Sequence, residues 1–331
     1  MPSHINKNLV SPLLSVVCPV YNCAKYLQQL LEKLCNQTQL NFQLILIDDH
    51  SDDDSPDIIK KYENSFFNVT VIRNDLNRGP GYSRNIGLRY VQGDILAFID
   101  ADDLIEETYV ERIYRAVEQM DDCNWALLYF NLSRFSDAQK IPYVRPKLSK
   151  KILSQTKLLK QIIDDRYLGG YLTNKIFKTD IIRRYDIKFV EDILVSEDEL
   201  FCLEYALKCG QTAAYKLDNV YFYRENPLSL TNTNLKRKLS DMVNARLSAS
   251  KLLTGTKIER LAKASALMAR IYCSFYDGTA KITKSELIKN ISLVFFKHVK
   301  TNDKLCYLLY TLSACLAKKI YFKKKSATSE T

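Results

Sequence analysis

Three carboxylates stand close together in the sequence, directly after an apolar run. Residues 95–104 read ILAFIDADDL, so Asp100, Asp102 and Asp103 follow a segment with the composition of a buried strand. Like charges at one strand end repel each other unless a cation lies among them. Mg²⁺ and Mn²⁺ take oxygen ligands, and such sites are often completed by substrate phosphates. The run therefore predicts half of a metal-diphosphate site, although the same acids could instead cap the helix expected at residues 108–121.

Polar side chains also follow three earlier apolar runs, which predict strands at residues 13–20, 42–47 and 69–74. Pro19 is expected to end the first of them. Segments with helical spacing of apolar residues separate the runs, and this alternation predicts βαβ crossovers and a doubly wound, mostly parallel sheet. Ligands bind at the carboxyl ends of the strands in such sheets. The residues expected to converge there with the carboxylates are Tyr21, Asn22, Asp48, Asp49 and 73–81.

Two common phosphate-binding motifs are missing from this pattern. The first predicted strand is followed by PVYNCAKY, which lacks the three glycines of the dinucleotide-binding fingerprint. Gly79, Gly81 and Gly87, after the third strand, do not have the GxGxxG spacing, and no GxxxxGK(S/T) segment occurs. The predicted sheet is therefore of neither the dinucleotide-binding nor the P-loop type.

The composition indicates a folded protein of a reducing compartment. The 331 residues are 47% hydrophobic, with 9 Gly and 8 Pro, as in a globular chain long enough for one large domain and an appendage. Nine cysteines without a CxxC pair fit the cytoplasm and argue against a zinc site. No signal peptide is expected at the N-terminus, and no apolar run reaches the roughly 18 residues of a membrane span.

Four segments of the first half resemble the family 2 glycosyltransferases in order and spacing. They are SVVCPVYNCAKYLQQLLEKLCNQT, FQLILIDDHSDD, NRGPGYSRNIGL and GDILAFIDADDL. The resemblance extends over about residues 11–230 and implies a GT-A fold, which is Rossmann-like, and transfer of a sugar from a nucleotide donor with inversion. One departure is His50, where the family usually has Gly after the paired acids.

The resemblance also implies roles for individual residues of the nucleotide site. Pro19 and Tyr21 would line the nucleotide pocket, with Tyr21 against the uracil ring. Asp49 would read the edge of the base. Arg78 or Arg84 would lie near the diphosphate.

The DXD motif of the family corresponds to Asp100, Ala101 and Asp102. By the resemblance, Asp102 would bind the metal, Mn²⁺ or Mg²⁺, directly. Asp100 would approach the ribose or a metal-bound water. The donor that these roles together imply is a UDP-sugar.

Two further segments resemble motifs of the family's second half, TNKIF at residues 173–177 and SEDELF at residues 196–201. By this resemblance Asp198 is the general base. Inverting transfer needs a carboxylate on the face opposite the leaving group, where it takes the proton of the attacking hydroxyl. The SEDE segment could also be an ordinary helix start, in which Ser caps and the acids favour the helix dipole. Arg224 lies in a segment that resembles a loop over the donor and would reach a phosphate.

Residues 231–331 differ from the rest of the chain in charge. They carry 20 Lys and Arg against 6 Asp and Glu, within a chain of net charge +10. Their apolar residues recur at helical spacing, which predicts a helical region after a catalytic domain at residues 1–230. Within this region residues 305–317, LCYLLYTLSACLA, are flanked by lysines and suit a helix that lies in a membrane interface.

The basic region therefore predicts peripheral attachment to the anionic inner face of the cytoplasmic membrane, or else helices that only pack on the catalytic domain. Nucleic acid is not expected as a partner, because the region has no RNP-like, zinc-finger or helix-turn-helix signature.

Together these features predict a metal-dependent, inverting glycosyltransferase of bacterial type, with a nucleotide-sugar half at about residues 11–105 and an acceptor half at about 106–230. Its acceptor would be a glycan or lipid-linked glycan of a capsule, lipopolysaccharide or exopolysaccharide. Trp125 is the only tryptophan, so the QxxRW motif of processive synthases is missing and single additions are expected. The alternatives are a non-catalytic nucleotide-sugar-binding or membrane-scaffolding protein on the same fold, and a nucleotidyltransferase that would release pyrophosphate.

Overall fold

The structure is a computed structural model, and it describes residues 14–119, 127–129, 132–135, 151–164, 169–210, 212–214, 220–225, 235–277, 282–283, 285–286, 289–290 and 307. The Cα positions group the chain into two compact units, Met1–Ser229 and Leu230–Thr331. Each unit is described by itself.

A six-stranded mixed sheet forms the centre of the first unit. Its parallel strands are β1 (Leu14–Val20), β2 (Phe42–Asp48), β3 (Val69–Arg73) and β4 (Ile95–Phe98). The sheet is completed by β6 (Leu127–Tyr129) and β9 (Lys175–Lys178). The spatial order is β3-β2-β1-β4-β9-β6, and β9 is antiparallel to both of its neighbours. The predicted doubly wound, mostly parallel sheet is confirmed.

Helices cover both faces of this sheet. On one face, α1 (Ala24–Cys35) buries its leucines in a core cluster that includes Val16. On the other face, α3 (Pro80–Leu88) approaches so closely that a Cβ on Gly87 would lie 2.7 Å from Val17 Cγ1. Since both faces are covered, β1 and β2 carry apolar residues on both faces, and the buried polar pair Ser15 and Gln43 is joined by a hydrogen bond of 2.7 Å. The other helices of this half are α2 (Ser55–Tyr62) and α4 (Tyr109–Glu118).

The prediction that Pro19 ends the first strand is wrong, because β1 continues to Val20. Strand β1 pairs with β2 along its whole length but with β4 only as far as Val17. The carbonyl of Val17 accepts the N–H of Ile99 on the β4 side, and residue 19, two positions further on, faces the same side. Since the register with β4 has ended there, the missing N–H of proline breaks no ladder hydrogen bond.

Two small sheets complete the first unit. One has the order β5-β11-β7, formed by β5 (Leu104–Ile105), β7 (Leu132–Phe135) and β11 (Tyr221–Arg224). The other pairs β8 (Lys151–Leu153) with β10 (Thr212–Ala214). Strand β5 directly follows the carboxylates at the end of β4, and β11 runs antiparallel to it. This pairing brings residues from far along the chain to the carboxylate edge.

An aromatic cluster fixes the last helix of the first unit against the main sheet. Three helices of the first unit follow α4 in the sequence, α5 (Gln155–Asp164), α6 (Thr179–Arg184) and α7 (Glu197–Lys208). Phe201 of α7 stacks on Phe189 with ring centroids 4.1 Å apart. The same ring meets Phe98 of β4 and Phe177 of β9 edge to face, at 5.8 and 5.5 Å. The start of α7 is thereby held near the carboxyl end of β4.

The described part of the second unit contains two helices that pack on each other, α8 (Leu235–Leu252) and α9 (Glu259–Asp277). Their buried positions are rich in alanine, including Ala245, Ala249 and Ala262. The predicted interfacial segment 305–317 lies outside the described residues except for Tyr307. Among the described residues no helix is both long and apolar enough to cross a membrane.

Candidate active site

The loops after β1 and β2 are joined by four hydrogen bonds between side chains and backbone. Ser51 Oγ accepts the N–H of Asn22 at 3.0 Å, and Ser55 Oγ accepts the N–H of Cys23 at 2.9 Å. Asp53 Oδ2 accepts the N–H of Ala24, the first residue of α1, at 2.9 Å. In the reverse direction the N–H of Asp52 donates to Asn22 Oδ1 at 2.9 Å. These bonds hold the two loops as one surface at the edge of the sheet.

Two residues at this surface have left-handed backbone conformations, Asn22 with φ 47° and His50 with φ 64°. Glycine adopts such a conformation without strain. His50, which stands where the family usually has Gly, therefore has the backbone conformation that a glycine would favour. The exposed ring of His50 lies with Nδ1 3.3 Å from the carbonyl oxygen of Asn74. The turn is therefore preserved although the residue is changed.

Asp49 is buried at the end of β2 and binds the loop that follows β3. Its Oδ1 accepts the side-chain amide of Asn74 at 2.7 Å, and its Oδ2 accepts the N–H of Gly79 at 2.7 Å. The N–H of Arg78 lies 3.2 Å from both oxygens. Gly79 has φ 87°, a conformation that suits glycine. Asp49 thus fixes the 74–79 loop, and its predicted contact with the base stays a prediction.

Three other predicted residues of the nucleotide site lie on this edge. Tyr21 follows β1 with 45% of its surface exposed, so its ring is available to a ligand. Pro19, two residues earlier, is half-buried. The exposed Arg78 places its guanidinium carbon 4.8 Å from the ring centroid of Tyr82.

A buried carboxyl group, that of Asp103, supports the turn of the DXD segment at residues 100–102. Asp103, 1% exposed, accepts the hydroxyl of Tyr221 at 2.7 Å and the N–H of Arg224 at 2.7 Å. The hydroxyl of Tyr221 in turn accepts the N–H of Asp100 at 3.2 Å. Burial, together with Asp100 and Asp102, raises the pKa of Asp103 well above its ordinary value. Asp103 therefore supports the turn, whereas Asp100 and Asp102 remain partly exposed at its rim.

Arg224 lies beside this turn and is 4% exposed. Its Nε donates to the carbonyl oxygen of Asp102 at 2.7 Å, and one terminal nitrogen donates to Gln29 Oε1 at 3.0 Å. The guanidinium carbon lies 4.4 Å from the ring centroid of Tyr26 and 4.5 Å from that of Phe135. These contacts orient the backbone of Asp102, and the predicted phosphate contact of Arg224 is not tested by them.

Arg84 connects the DXD segment with the start of α7. One terminal nitrogen donates to Asp100 Oδ1 at 2.9 Å and the other to Glu197 Oε1 at 2.6 Å. Burial alone would lower the pKa of Arg84, but Asp100, Glu197 and Asp198 raise it above its ordinary value. Burial raises the pKa of Glu197 to about 7, although Arg84 acts in the opposite direction. Arg84 is thus a buried cation between the side chains of Asp100 and Glu197.

Asp198, the predicted base, is half-buried in the first turn of α7. Its Oδ1 accepts the N–H of Glu199 at 2.8 Å. Burial raises its pKa above the ordinary value, while Arg84 and the buried Lys175 lower it. Ser196, immediately before the helix, has φ 77° and makes no side-chain capping hydrogen bond among the described residues. A carboxylate with a raised pKa beside a polar edge has the proton affinity that a general base needs.

The two rim carboxylates can supply ligands to a divalent cation but do not form a complete cage. Among the described residues no group of three or more His, Cys, Asp or Glu side chains is placed to hold a metal ion. Asp100 and Asp102 are partly exposed oxygen donors two residues apart. This donor set fits Mg²⁺ or Mn²⁺, which take a few carboxylates and fill their remaining positions with phosphate and water.

Several residues of this site escaped prediction from the sequence. Glu197, the partner of Arg84, was predicted only as part of the SEDELF segment, and Tyr221 was given no role. Their roles depend on contacts with residues 113 and 118 positions away along the chain. Ser51, Asp53 and Ser55 do carry a local signal, since short polar residues after a strand often bond to a neighbouring backbone.

The sequence and the fold both have known counterparts. Residues 15–185 match the family model described as glycosyl transferase family 2. The uncharacterized glycosyltransferase EpsJ of Bacillus subtilis (strain 168) is 26% identical over 242 residues, which are 72% of this chain and 68% of EpsJ. The poly(ribitol-phosphate) beta-N-acetylglucosaminyltransferase TarS of Staphylococcus aureus (strain MW2) is 27% identical over 63% of this chain, but only 35% of TarS is covered.

The crystal structure of S. aureus TarS residues 1–349 in complex with UDP-GlcNAc superposes with a TM-score of 0.68, at 21% identity, over 94% of this chain and 92% of that one. At this identity the likeness establishes the fold, and the GT-A prediction is confirmed. The family model covers more than half of the chain, including every carboxylate that precedes α7 in the site. The chain belongs to glycosyl transferase family 2.

Proposed function

We propose that this protein is an inverting glycosyltransferase that moves a sugar from a UDP-sugar to a hydroxyl of a surface glycan. The observation that supports the proposal is the link from Asp100 through Arg84 to Glu197, which joins the DXD segment to the helical turn that carries Asp198, a side chain of raised pKa. A metal-diphosphate site and a base in one connected cluster are what a single displacement requires. TarS, whose fold this chain shares, binds UDP-GlcNAc and is named for a polymer acceptor.

The nucleotide would lie on the surface formed by the loops after β1, β2 and β3. The exposed ring of Tyr21 would stack on the uracil, with Pro19 beside it and Asp49 at the base edge. Arg78 has an exposed guanidinium and would reach the diphosphate. Arg224, the last residue of β11, lies next to the backbone of the DXD segment and would approach a phosphate.

Asp102 and Asp100 of the DXD segment, on either side of Ala101, would hold Mn²⁺ or Mg²⁺. Such an ion offsets the negative charge that develops on the departing diphosphate. Asp103 and Tyr221 contribute by fixing the turn from which both carboxylates project.

Asp198 would accept the proton of the acceptor hydroxyl as its oxygen attacks the anomeric carbon. The new bond joins that oxygen to the anomeric carbon, and the bond to the diphosphate breaks on the opposite side with its electron pair. Burial raises the pKa of Asp198 and with it the affinity of the side chain for that proton. The nearby Arg84 and Lys175 limit this rise in pKa, so that the carboxylate form stays available to accept the proton.

The proposed site assigns a role to each part of the chain. Residues 1–230 would be the catalytic domain, with the donor bound by about residues 11–105 and the acceptor by about 106–230. The basic region 231–331 would attach the enzyme to the anionic inner surface of the cytoplasmic membrane, beside a lipid-linked acceptor. Truncation after Thr301 should release the protein from membrane fractions, and an unchanged distribution would contradict the attachment.

The activity can be tested by measuring nucleoside diphosphate release from UDP-, GDP- and dTDP-sugars with Mn²⁺, Mg²⁺ or EDTA. We expect metal-dependent UDP release from one donor. Asp198→Asn should reduce transfer by about 10³-fold while UDP still binds, because the base acts in the chemical step. Asp102→Asn should instead impair binding.

Two outcomes would point elsewhere. Release of pyrophosphate in place of UDP would indicate a nucleotidyltransferase. No release from any donor, together with no calorimetric binding of any of the three nucleotides, would indicate that the protein does not use the donor site and acts as a scaffold.

A further inference from the structure

We propose that Arg84 is the positioning residue that sets the distance between the donor-binding DXD edge and the base on α7. The inference rests on the proposed function and deepens it. It assigns to Arg84 a link within the protein in place of the diphosphate contact that the family resemblance suggested.

The guanidinium of Arg84 bridges two side chains that lie far apart in the sequence. Its two terminal nitrogens reach different parts of the chain, Asp100 at 2.9 Å and Glu197 at 2.6 Å. A guanidinium is planar and rigid, so these two bonds fix the separation of the two carboxylates. An ammonium group donates from a single nitrogen, so it could bond both side chains only if their oxygens converged on one point.

The surroundings of Arg84 keep its side chain in this place. The side chain is 7% exposed, as is that of Glu197, whereas Asp100 is 33% exposed. The guanidinium carbon lies 5.6 Å from the ring centroid of Phe189, which is itself stacked on Phe201 of α7. Asp100 therefore stays partly exposed while its partner Arg84 is buried.

The position of Asp198 depends on the first turn of α7, where Glu197 is its direct neighbour. The carboxylate of Asp198 accepts the N–H of Glu199, within the same turn. Behind that turn Gly170 packs so tightly that a Cβ there would lie 2.6 Å from Glu199 Cβ. The turn is thus held by Arg84 on one side and by the 169–170 segment on the other, and loss of the arginine link would let the base shift.

The test compares Arg84→Lys, Glu197→Ala, Glu197→Gln and the double variant Arg84→Lys/Glu197→Ala with wild type. Melting temperatures establish that each variant is folded. UDP affinity with Mn²⁺ is measured by calorimetry, and kcat and KM by nucleoside diphosphate release. Arg183→Lys is the matched control, because Arg183 also ties two segments through a guanidinium, bonding to the carbonyl of Val91 at the far end of the sheet.

We expect Arg84→Lys to lower kcat by on the order of 100-fold, the cost of a displacement of about 1 Å. UDP affinity should change by less than about threefold, because the effect is on the chemical step. The double variant should be no slower than the slower single variant, since both changes break one link. Glu197→Gln keeps an oxygen for the guanidinium and should retain most of the activity, and Arg183→Lys should behave as wild type.

A loss of UDP affinity that parallels the loss of kcat in Arg84→Lys would overturn the proposal, because Arg84 would then act on donor binding and not on the position of the base. Additive effects in the double variant, or an unchanged kcat in Arg84→Lys, would also overturn it. If Arg84→Lys does not fold, the comparison of Glu197→Ala with Glu197→Gln decides, because equal activity in both excludes the link. A wild-type protein that binds UDP but releases none would refute the proposed function itself.

Discussion

Replacing Tyr221 by phenylalanine removes one oxygen atom from beneath the DXD turn and leaves the ring in place. That oxygen donates a hydrogen bond to the carboxylate of Asp103 at 2.7 Å and accepts the N–H of Asp100 at 3.2 Å. Tyr221 is fully buried and Asp103 is 1% exposed, so water does not replace the lost partner. In Tyr221→Phe, Asp103 keeps the N–H of Arg224 as a hydrogen-bond donor.

The size of the effect follows from these two bonds. A hydrogen bond to a charged acceptor contributes about 1.5–3 kcal/mol to the free energy of unfolding, and one between neutral groups about 1 kcal/mol. Tyr221→Phe should therefore destabilise the protein by about 3 kcal/mol. The unit that contains it spans Met1–Ser229. In a unit of that size 1 kcal/mol shifts the melting temperature by roughly 2–4 °C, so a decrease of about 6–12 °C is expected.

Urea denaturation and thermal melting of the purified protein measure this loss, and calorimetry with UDP and Mn²⁺ reports the state of the DXD turn. Tyr129→Phe is the matched control, because Tyr129 is 3% exposed and has no hydrogen bond from its hydroxyl within the described part of the chain. Its loss should be below about 1 kcal/mol. Equal stability changes in the two variants would refute the view that Tyr221 supports the turn through its hydroxyl.

Three further predictions concern the base, its neighbour and the metal. Gly170→Ala should lower kcat by about tenfold or more with little effect on UDP affinity, because the new Cβ would push on Glu199 at 2.6–2.8 Å, and unchanged kinetics would contradict this. Glu197 has a pKa of about 7 in the folded chain against an ordinary 4.5, so the folded state holds a proton that the unfolded state has released. Stability of the wild type should therefore fall as the pH rises from 4.5 to 7, by up to about 1 kcal/mol per pH unit, and Glu197→Gln should remove this slope in urea denaturation. EDTA should weaken UDP binding by the wild type and not by Asp102→Asn, and equal sensitivity to EDTA in calorimetry would argue against a metal at that residue.

The sheet and its ligand-binding edge could be predicted because their signals are local. Four apolar runs separated by helical segments fix the order of strands and helices, and the parallel fold then places the polar residues after each strand on one edge. The prediction that Pro19 ends the first strand was wrong because it considered the proline without the neighbouring strands. Whether it ends a strand depends on which neighbour its missing N–H would have faced, and that is known only from the register with β4.

The internal support of the site could not be predicted from the sequence. By the resemblance, Arg78 or Arg84 would lie near the diphosphate, and the structure places Arg84 between two carboxyl groups of the protein, those of Asp100 and Glu197. Arg224 is a similar case, held by the carbonyl of Asp102 and by aromatic rings. The bonds of Arg84 to Glu197 and of Arg224 to Asp102 join residues more than 100 positions apart, and neither periodicity nor motif spacing carries information about them.

The pairing of β11 with β5 also has a consequence for the order in which the protein is made. All the rim carboxylates of the DXD segment are synthesised early, but the hydroxyl of Tyr221 and the N–H of Arg224 that hold Asp103 come from the last described strand of the first unit. Domains fold as units while the ribosome proceeds from the N-terminus. A nascent chain that ends at residue 210 therefore contains the DXD segment without its support. The support of the DXD turn is therefore complete only once residue 224 has been synthesised.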